Sequence, residues 1–372
     1  MTLSGCATPE ATEQYRNRFT GEIPVEHFRM AQGLWASSIG LGTYLGNHDA
    51  EADRLYRDAV IRAVELGCNV IDTAINYRFQ RSERSIGAAL AELDSRGVKR
   101  EEIIVATKGG FIPFDSTPPK DVRAYFDETF VQAGIASFAD VIAGCHCMTP
   151  RYLLNQLDMS LKNLRLDCVD IYYVHNPETQ LGKIERIEFN KRLQSAFEAL
   201  ESAVSAGKIR SYGTATWNAY RDSPDDKDYM SLAEVLNLAE DAGGKDHHFK
   251  VIQLPLNLGM TEALSNSNQR VKDKEMTILD AAQTLGLTVM CSASVLQGQL
   301  TRNLPGIISE TFGDLDTDGQ RALQFVRSTP GVTTALVGMK QIQHVEENLA
   351  TARVRPAPWE QYSKLFQVSE NS

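Results

Sequence analysis

Three short apolar runs each end on an ionisable residue. Asp72 closes Asn69-Val70-Ile71, Lys108 closes Ile103-Ile104-Val105-Ala106-Thr107, and His175 closes Ile171-Tyr172-Tyr173-Val174. Five residues beyond Asp72, Tyr77 lies in a polar loop that can fold back over the same rim. Together these types could give and take a proton and stabilise charge on a bound group. A phenol is a weak acid near neutrality, with a reference pKa of about 10. A nearby ammonium favours the phenolate and lowers that pKa. Taken singly, each has a plainer reading: Asp72 as a helix cap, Lys108 as its ion-pair partner, His175 as a core histidine, Tyr77 as loop packing. Their common position at the ends of successive runs makes them a candidate set.

The elements that must position them alternate along the whole chain. Eight candidate strands run over residues 39–43, 69–71, 103–107, 169–174, 209–213, 250–254, 288–291 and 334–337, with segments of helical spacing between them. Leu55, Ala59, Ala63 and Leu66 recur at helical intervals up to Gly67, and Ile86, Leu90 and Leu93 recur before Gly97. Thr149-Pro150 reads as an N-cap and first-turn proline for a stripe of Leu153, Leu157, Leu161 and Leu164. Eight such units predict a single (β/α)8 barrel, a TIM barrel of the α/β class, in which chemistry sits at the carboxyl ends of the strands. One barrel needs about 250 residues. The surplus is read as an N-terminal extension over 1–35, a barrel over 36–355 with a long insertion at 111–148 after strand three, and a C-terminal tail over 356–372. The insertion carries Phe111, Phe114, Tyr125, Phe126 and Phe130, which serve either a substrate wall or the insertion's own packing. It is too short for an independent core, and it should overhang the site because it follows the strand that delivers Lys108.

The 372-residue chain has 38 basic and 48 acidic side chains, a formal charge of −10 and a pI near 5.3. That balance argues against nucleic acid and anionic membrane as partners, since both need a basic face. No run reaches the roughly 18 apolar residues of a membrane span. Leu3-Ser4-Gly5-Cys6 resembles a lipid-attachment site but lacks a preceding signal region. The six cysteines are scattered, several in apolar runs, and read as reduced thiols in a cytoplasmic protein. Cys145-His146-Cys147 lacks the second half of a zinc site, so no metal is expected; His146, at the end of the insertion, reads better as facing substrate. His247-His248 and the segment Asp222 to Asp228 read as solvated loops.

Here the motifs become specific. Ile71-Asp72-Thr73-Ala74 with Tyr77, Ser82-Glu83 through Ile86-Gly87, Ala106-Thr107-Lys108, Asp170-Ile171-Tyr172 through His175, Gly207-Lys208-Ile209-Arg210, Gln253, and Gly338 through Glu347-Asn348 resemble the signature of the aldo-keto reductases over residues 36–352. The resemblance implies a nicotinamide-dependent oxidoreductase interconverting a carbonyl and an alcohol, with small molecules as its partners. Tyr77 would be the general acid, Lys108 would lower its pKa, Asp72 would hold Lys108, and His175 would orient the carbonyl.

For the cofactor, NADP(H) with NAD(H) as the alternative, the resemblance points to Thr43, Asp72, Thr216, Gln253, Ser292, Gln299, Gly338, Lys340, His344, Glu347 and Asn348. Lys340 would meet the adenosine 2′-phosphate. No Gly-x-Gly-x-x-Gly follows a strand, so a doubly wound dinucleotide domain is not indicated. Three positions depart from the family pattern: Ala215-Thr216 stands where relatives carry Ser-Asn, Ser292 where many stack a tyrosine on the nicotinamide, and His344 where many carry arginine. Tyr44, Phe111, His146 and Trp217 are the candidate substrate contacts. The rival readings are an oxidative sugar or alcohol dehydrogenase, a transient-redox epimerase or lyase, and a cofactor-binding regulatory subunit.

Overall fold

In the computed structural model, which describes residues 2–366, eight parallel strands close into one barrel: β1 (Ile39–Gly42), β2 (Val70–Asp72), β3 (Ile104–Gly109), β4 (Val169–His175), β5 (Ile209–Ala215), β6 (Phe249–Pro255), β7 (Thr288–Ser292) and β8 (Thr334–Gly338). Every run expected from the sequence becomes one strand, displaced by no more than two residues at either end. Helices α1 (Ala50–Glu65), α2 (Arg81–Ser95), α3 (Pro150–Leu164), α4 (Arg186–Ser205), α5 (Leu232–Gly243), α6 (Ile278–Thr284), α7 (Asp318–Ser328) and α8 (Ile342–Ala350) alternate with them. Strands such as β3 and β4 are buried on both faces, which is why they read as largely apolar runs rather than alternating ones.

Local chemistry starts the helices. Asp49 caps α1 by accepting from the Ala52 N–H (2.8 Å), and Thr317 with Gln320 forms a capping box on α7. Thr149 occupies the N-cap position of α3, as expected, but makes no capping bond; its hydroxyl lies 3.4 Å from Cys147 Sγ. Gly213 is required where β5 meets β6, because a Cβ there would stand 1.7 Å from the Val251 carbonyl oxygen.

The N-terminal extension has more order than its composition suggests. A helix (Pro9–Asn17) leads into a hairpin, Phe28–Ala31 with Leu34–Ser37, which runs two residues past the expected boundary. Its turn is Gln32-Gly33, both with positive φ. Ala31, Leu34 and Ala36 pack with Val70, Ile104, Ile171, Val251, Met290 and Leu336 from the barrel interior, so the hairpin plugs the amino-terminal mouth. That leaves the opposite rim for chemistry.

Two expectations are corrected at this end. Cys6 and Cys168 are joined by a disulfide across 162 residues, so they are not reduced thiols. The pairing follows from how the first residues lie along the barrel: Leu3 N–H donates to the Arg165 carbonyl, Gly5 N–H to Asp167 and Ala7 N–H to Asp170, which brings Cys6 beside the start of β4. Of the two loop histidines, His247 is not solvated, while the His248 side chain is 43% exposed. His247 is 8% exposed, and His248 pairs with Glu201 through both its backbone N–H and its ring.

The insertion at 111–148 does pack on itself. Phe126, Phe130, Cys147 and Tyr152 form a small buried cluster edged by Ile112, Tyr125 and Ile135, with Tyr152 supplied by α3. The second alternative for its aromatics therefore holds for Phe126 and Phe130, while Phe111 turns toward the rim. Two smaller additions lie elsewhere: a hairpin (Gln269–Val271 with Lys274–Met276) before α6, and the long loop between β7 and α7. Part of the C-terminal tail is also built in, since Tyr362 is buried and stacks on Phe325 of α7 at 5.3 Å; residues 367–372 lie outside the described residues. Among the described residues, no helix is long and apolar enough to cross a membrane, and no group of three or more His, Cys, Asp or Glu is arranged to hold a metal.

Candidate active site

Lys108 reaches the carboxyl rim of the barrel as the fifth residue of β3, and its ammonium is fully enclosed. Nζ donates to Asp72 Oδ1 (2.5 Å) and to the Thr73 carbonyl (2.8 Å), while the other Asp72 oxygen accepts from Gln253 Nε2 (2.8 Å). Register explains the meeting: β2, β3 and β4 are adjacent, and Asp72 is opposite Ala106 while Lys108 is opposite Tyr173. Burial pulls the Lys108 ammonium below its ordinary pKa, and Asp72 opposes that shift.

Tyr77 is delivered by a loop with little freedom. Beyond β2 the chain stays attached to β3 through Thr73 N–H on the Ala106 carbonyl and Ile75 N–H on the Lys108 carbonyl. After Tyr77 come three successive left-handed residues, Arg78, Phe79 and Gln80, with φ of 48°, 57° and 68°. Non-glycine residues resist that conformation by roughly 1–2 kcal/mol each. The strain is met by fixed partners. The Arg78 guanidinium donates to Asp53 (2.6 Å) and the Asn47 carbonyl, the Phe79 carbonyl accepts from Ser116 N–H, and Gln80 bonds Phe114 and Asn163. Ser116 and Phe114 belong to the insertion, which thereby braces the Tyr77 loop.

The Tyr77 ring lies with its centre 5.0 Å from Lys108 Nζ and 5.8 Å from the His175 ring. Its acidity corrects one expectation. Burial, then the Asp72 charge, holds the phenol well above the usual tyrosine pKa, so the net shift is upward rather than the lowering expected from Lys108. His175 is driven the opposite way. Burial and the neighbouring Lys108 charge hold its imidazole neutral, well below the usual pKa. Its Nδ1 is buried without a hydrogen-bond partner.

Around these groups stand Tyr44, 5.0 Å from the Tyr77 ring, and Phe111, 5.0 Å from the His175 ring, with Trp217 41% exposed on the loop after β5. His146 does not face this space. It is fully buried, its Nε2 bonds the His175 carbonyl (2.7 Å) and its Nδ1 meets Gln180 Nε2 (2.9 Å), so it buttresses His175 from behind.

The expected cofactor residues divide in the same way. Thr43 is buried and its hydroxyl is committed to Thr73 and the Asp72 carbonyl, so it ties β1 to β2. Thr216 is buried beside Gln253, donating to its carbonyl. Ser292 ends β7 and is partly accessible; Gln299 is exposed on the loop beyond it. Gly338 is exposed at the end of β8, Lys340 is partly accessible, and His344 is exposed on α8. Glu347 accepts from the Thr317 hydroxyl (2.7 Å), which joins α8 to the start of α7; Asn348 is partly accessible. No side chain caps α8, so its first N–H groups are free to meet a phosphate beside Lys340. Those residues fit a dinucleotide laid across the ends of β6, β7 and β8.

Other parts of the sequence signature prove structural. Glu83 joins Thr107 (2.7 Å) to Asn163 (2.9 Å), Asp170 pairs with Arg100 (2.7 Å), and Arg210 holds the Ala7 and Gln32 carbonyls of the N-terminal plug. Sequence reasoning missed Gln180 and Glu178, and gave Thr73 no role beyond its place in the motif around Asp72. Of these only Glu178 carried a signal: a charged residue three positions after His175, immediately following Asn176-Pro177.

A closed parallel barrel whose carboxyl rim gathers a tyrosine, a lysine–aspartate pair and a neutral histidine has the architecture of a nicotinamide-dependent barrel oxidoreductase. A family model described as the aldo/keto reductase family matches residues 38–306, and the chain belongs to that family. It is accordingly an NAD(P)H-dependent oxidoreductase. The chain is similar to the aldo-keto reductase yakc [NADP(+)] of Schizosaccharomyces pombe, 22% identical over 349 residues that cover 85% of this chain and 82% of that protein. It is also similar to the 6-dehydroglucose reductase of Novosphingobium aromaticivorans, 24% identical over 340 residues, covering 88% and 86% respectively. Among solved structures, an aldo/keto reductase from Klebsiella pneumoniae in complex with NADP and acetate shares the fold, with a TM-score of 0.61, 19% identity and coverage of 93% and 97%.

Proposed function

We propose that this enzyme reduces an aldehyde or ketone with NADPH, with Tyr77 as the proton donor. The observation that carries the proposal is the meeting of Tyr77, the Lys108–Asp72 pair and His175 on one rim. The bound nicotinamide would supply the hydride. Gln253, Thr216 and Ser292 would surround that ring, while Gly338, Lys340 and the free N-terminus of α8 would hold the phosphates. Lys340, together with the NADP named for the Schizosaccharomyces and Klebsiella relatives, supports NADP(H) over NAD(H).

In this reading His175, neutral and anchored through its backbone by His146, donates a hydrogen bond to the substrate oxygen and sets its direction. Tyr77 stays protonated throughout the neutral range and passes its proton to that oxygen as charge builds there. Lys108 and Asp72 orient the phenol and stabilise the charge it acquires. A phenol that stays protonated is poised as a donor, the state from which carbonyl reduction starts. Tyr44, Phe111 and Trp217 offer aromatic faces rather than charges, which suits a neutral substrate with a flat or ring-shaped body.

The test is NADPH oxidation across a panel of aldehydes and ketones, alongside NADP and NAD reduction on sugars and alcohols. Carbonyl reduction lost in Tyr77→Phe is the expected result. Turnover confined to the oxidative arm would overturn the proposed direction, and product formed without net redox change would overturn the reaction class.

A further inference from the structure

The chain turns immediately after His175. Asn176 is left-handed (φ 42°), and Pro177 opens a single tight turn that sends the Glu178 side chain inward, where it is 6% exposed. There its Oε1 accepts from two successive backbone N–H groups of the loop after β5, Trp217 at 2.6 Å and Asn218 at 3.3 Å. Successive N–H groups of this kind form a small anion-binding concavity, and here a carboxylate of the same chain fills it. Oε2 is buried with no hydrogen-bond partner.

The same loop is gripped from the other side. Arg221, itself buried, donates to the Trp217 carbonyl (2.9 Å) and to the Asn218 side chain (3.4 Å), and its guanidinium is anchored on Glu262 (2.7 Å). Trp217 therefore projects from a segment whose backbone is held on one side by Glu178 and on the other by Arg221. Glu178 also stands three residues from His175. It links the group that would orient the carbonyl to the aromatic face beside it.

We propose that Glu178 is a positioning residue for substrate: its carboxylate fixes the Trp217 wall against the His175 loop, and proton uptake at Oε2 loosens that wall. The inference rests on the reading of this rim as a carbonyl-reducing site and deepens it by naming a determinant of ring-shaped substrates. A charged carboxylate is a stronger acceptor for the two N–H groups than a neutral acid, so the wall is firm when Glu178 is ionised. The groups facing it favour both states near neutrality. On its own turn it meets only backbone; on the β5 loop it meets the two N–H groups, the Asp228 carboxylate, which opposes its ionisation, and the Tyr220 phenol, which is made less acidic by it. Burial outweighs the two N–H donors and pushes the carboxyl up to about 7.

Two readouts test this on the full chain. The first is the KM for 4-nitrobenzaldehyde, an aromatic aldehyde probe, with NADPH saturating. It is expected to rise about tenfold as pH falls from about 8 to about 6, the loss of one charge-assisted contact, with kcat and NADPH affinity little changed. Glu178→Gln, which keeps an acceptor oxygen but cannot titrate, is expected to remove this pH dependence. The second is tryptophan emission without substrate, expected to show a step near pH 7 that disappears in both Glu178→Gln and Trp217→Phe. A KM flat over this range in wild type, or an unchanged step in either variant, would overturn the proposal. Absence of NADPH oxidation with the emission step intact would instead overturn the carbonyl-reductase reading and leave the role of Glu178 in holding Trp217 standing.

Discussion

Replacing Lys108 by methionine separates structural from chemical roles at the centre of the site. Lys108 and Asp72 are both buried, with side chains 1% and 7% exposed, and the ammonium makes two bonds, to Asp72 and to the Thr73 carbonyl. Removing it leaves the Asp72 carboxylate with Gln253 Nε2 as its one remaining side-chain donor. A buried charge left without its counter-charge costs about 3–5 kcal/mol. The orphaned Thr73 carbonyl adds about 1 kcal/mol more. Lys108→Met should therefore lose about 4–6 kcal/mol in urea unfolding followed by circular dichroism. The double variant Asp72→Asn with Lys108→Met carries no buried charge and should recover at least half of that loss, yet neither protein should reduce a carbonyl. A single variant that loses under about 1 kcal/mol, or a double variant as unstable as the single, would refute the view of the pair as one electrostatic unit.

With a two-carbon aldehyde too small to reach Trp217, kcat for reduction should be flat from about pH 6.5 to about pH 9, because Tyr77 is held above its usual range and His175 below. A loss of rate centred near the ordinary histidine pKa would contradict a neutral His175. Denatured but unreduced protein should titrate four thiols, Cys68, Cys145, Cys147 and Cys291, rather than six. Reducing Cys6–Cys168 should lower stability by about 2–4 kcal/mol while leaving turnover of the folded enzyme intact, since the bridge lies at the plugged end of the barrel. Gly213→Ala should drive β5 from β6 and cost at least about 3 kcal/mol, visible as a fall in Tm or as insoluble protein.

The barrel was legible because most of its strands are buried on both faces and appear as short, mainly apolar runs, with β5 the most polar of them. Reading the residue that ends each run located Asp72, Lys108 and His175, and the structure brings all three to one rim. What escaped depended on long-range placement. The plugging hairpin has strands of four residues, too short for a clear alternation, and its one local sign was the Gln32-Gly33 turn. The Cys6–Cys168 pairing spans 162 residues and leaves no spacing pattern. His146 is a ring that could face substrate or support a neighbour, and only the Gln180 and His175 contacts decide between them. The left-handed run at Arg78, Phe79 and Gln80 contains no glycine or asparagine to announce it.

The most direct test of the central claim measures, in wild type and Tyr77→Phe, NADPH affinity by fluorescence and transfer of deuterium from NADPH carrying deuterium at both C4 positions to the carbinol carbon of the product. Wild type should deliver one deuterium per turnover. Tyr77→Phe should bind NADPH within about twofold of wild type and transfer deuterium at least about a hundredfold more slowly. Undiminished transfer by Tyr77→Phe would contradict the account.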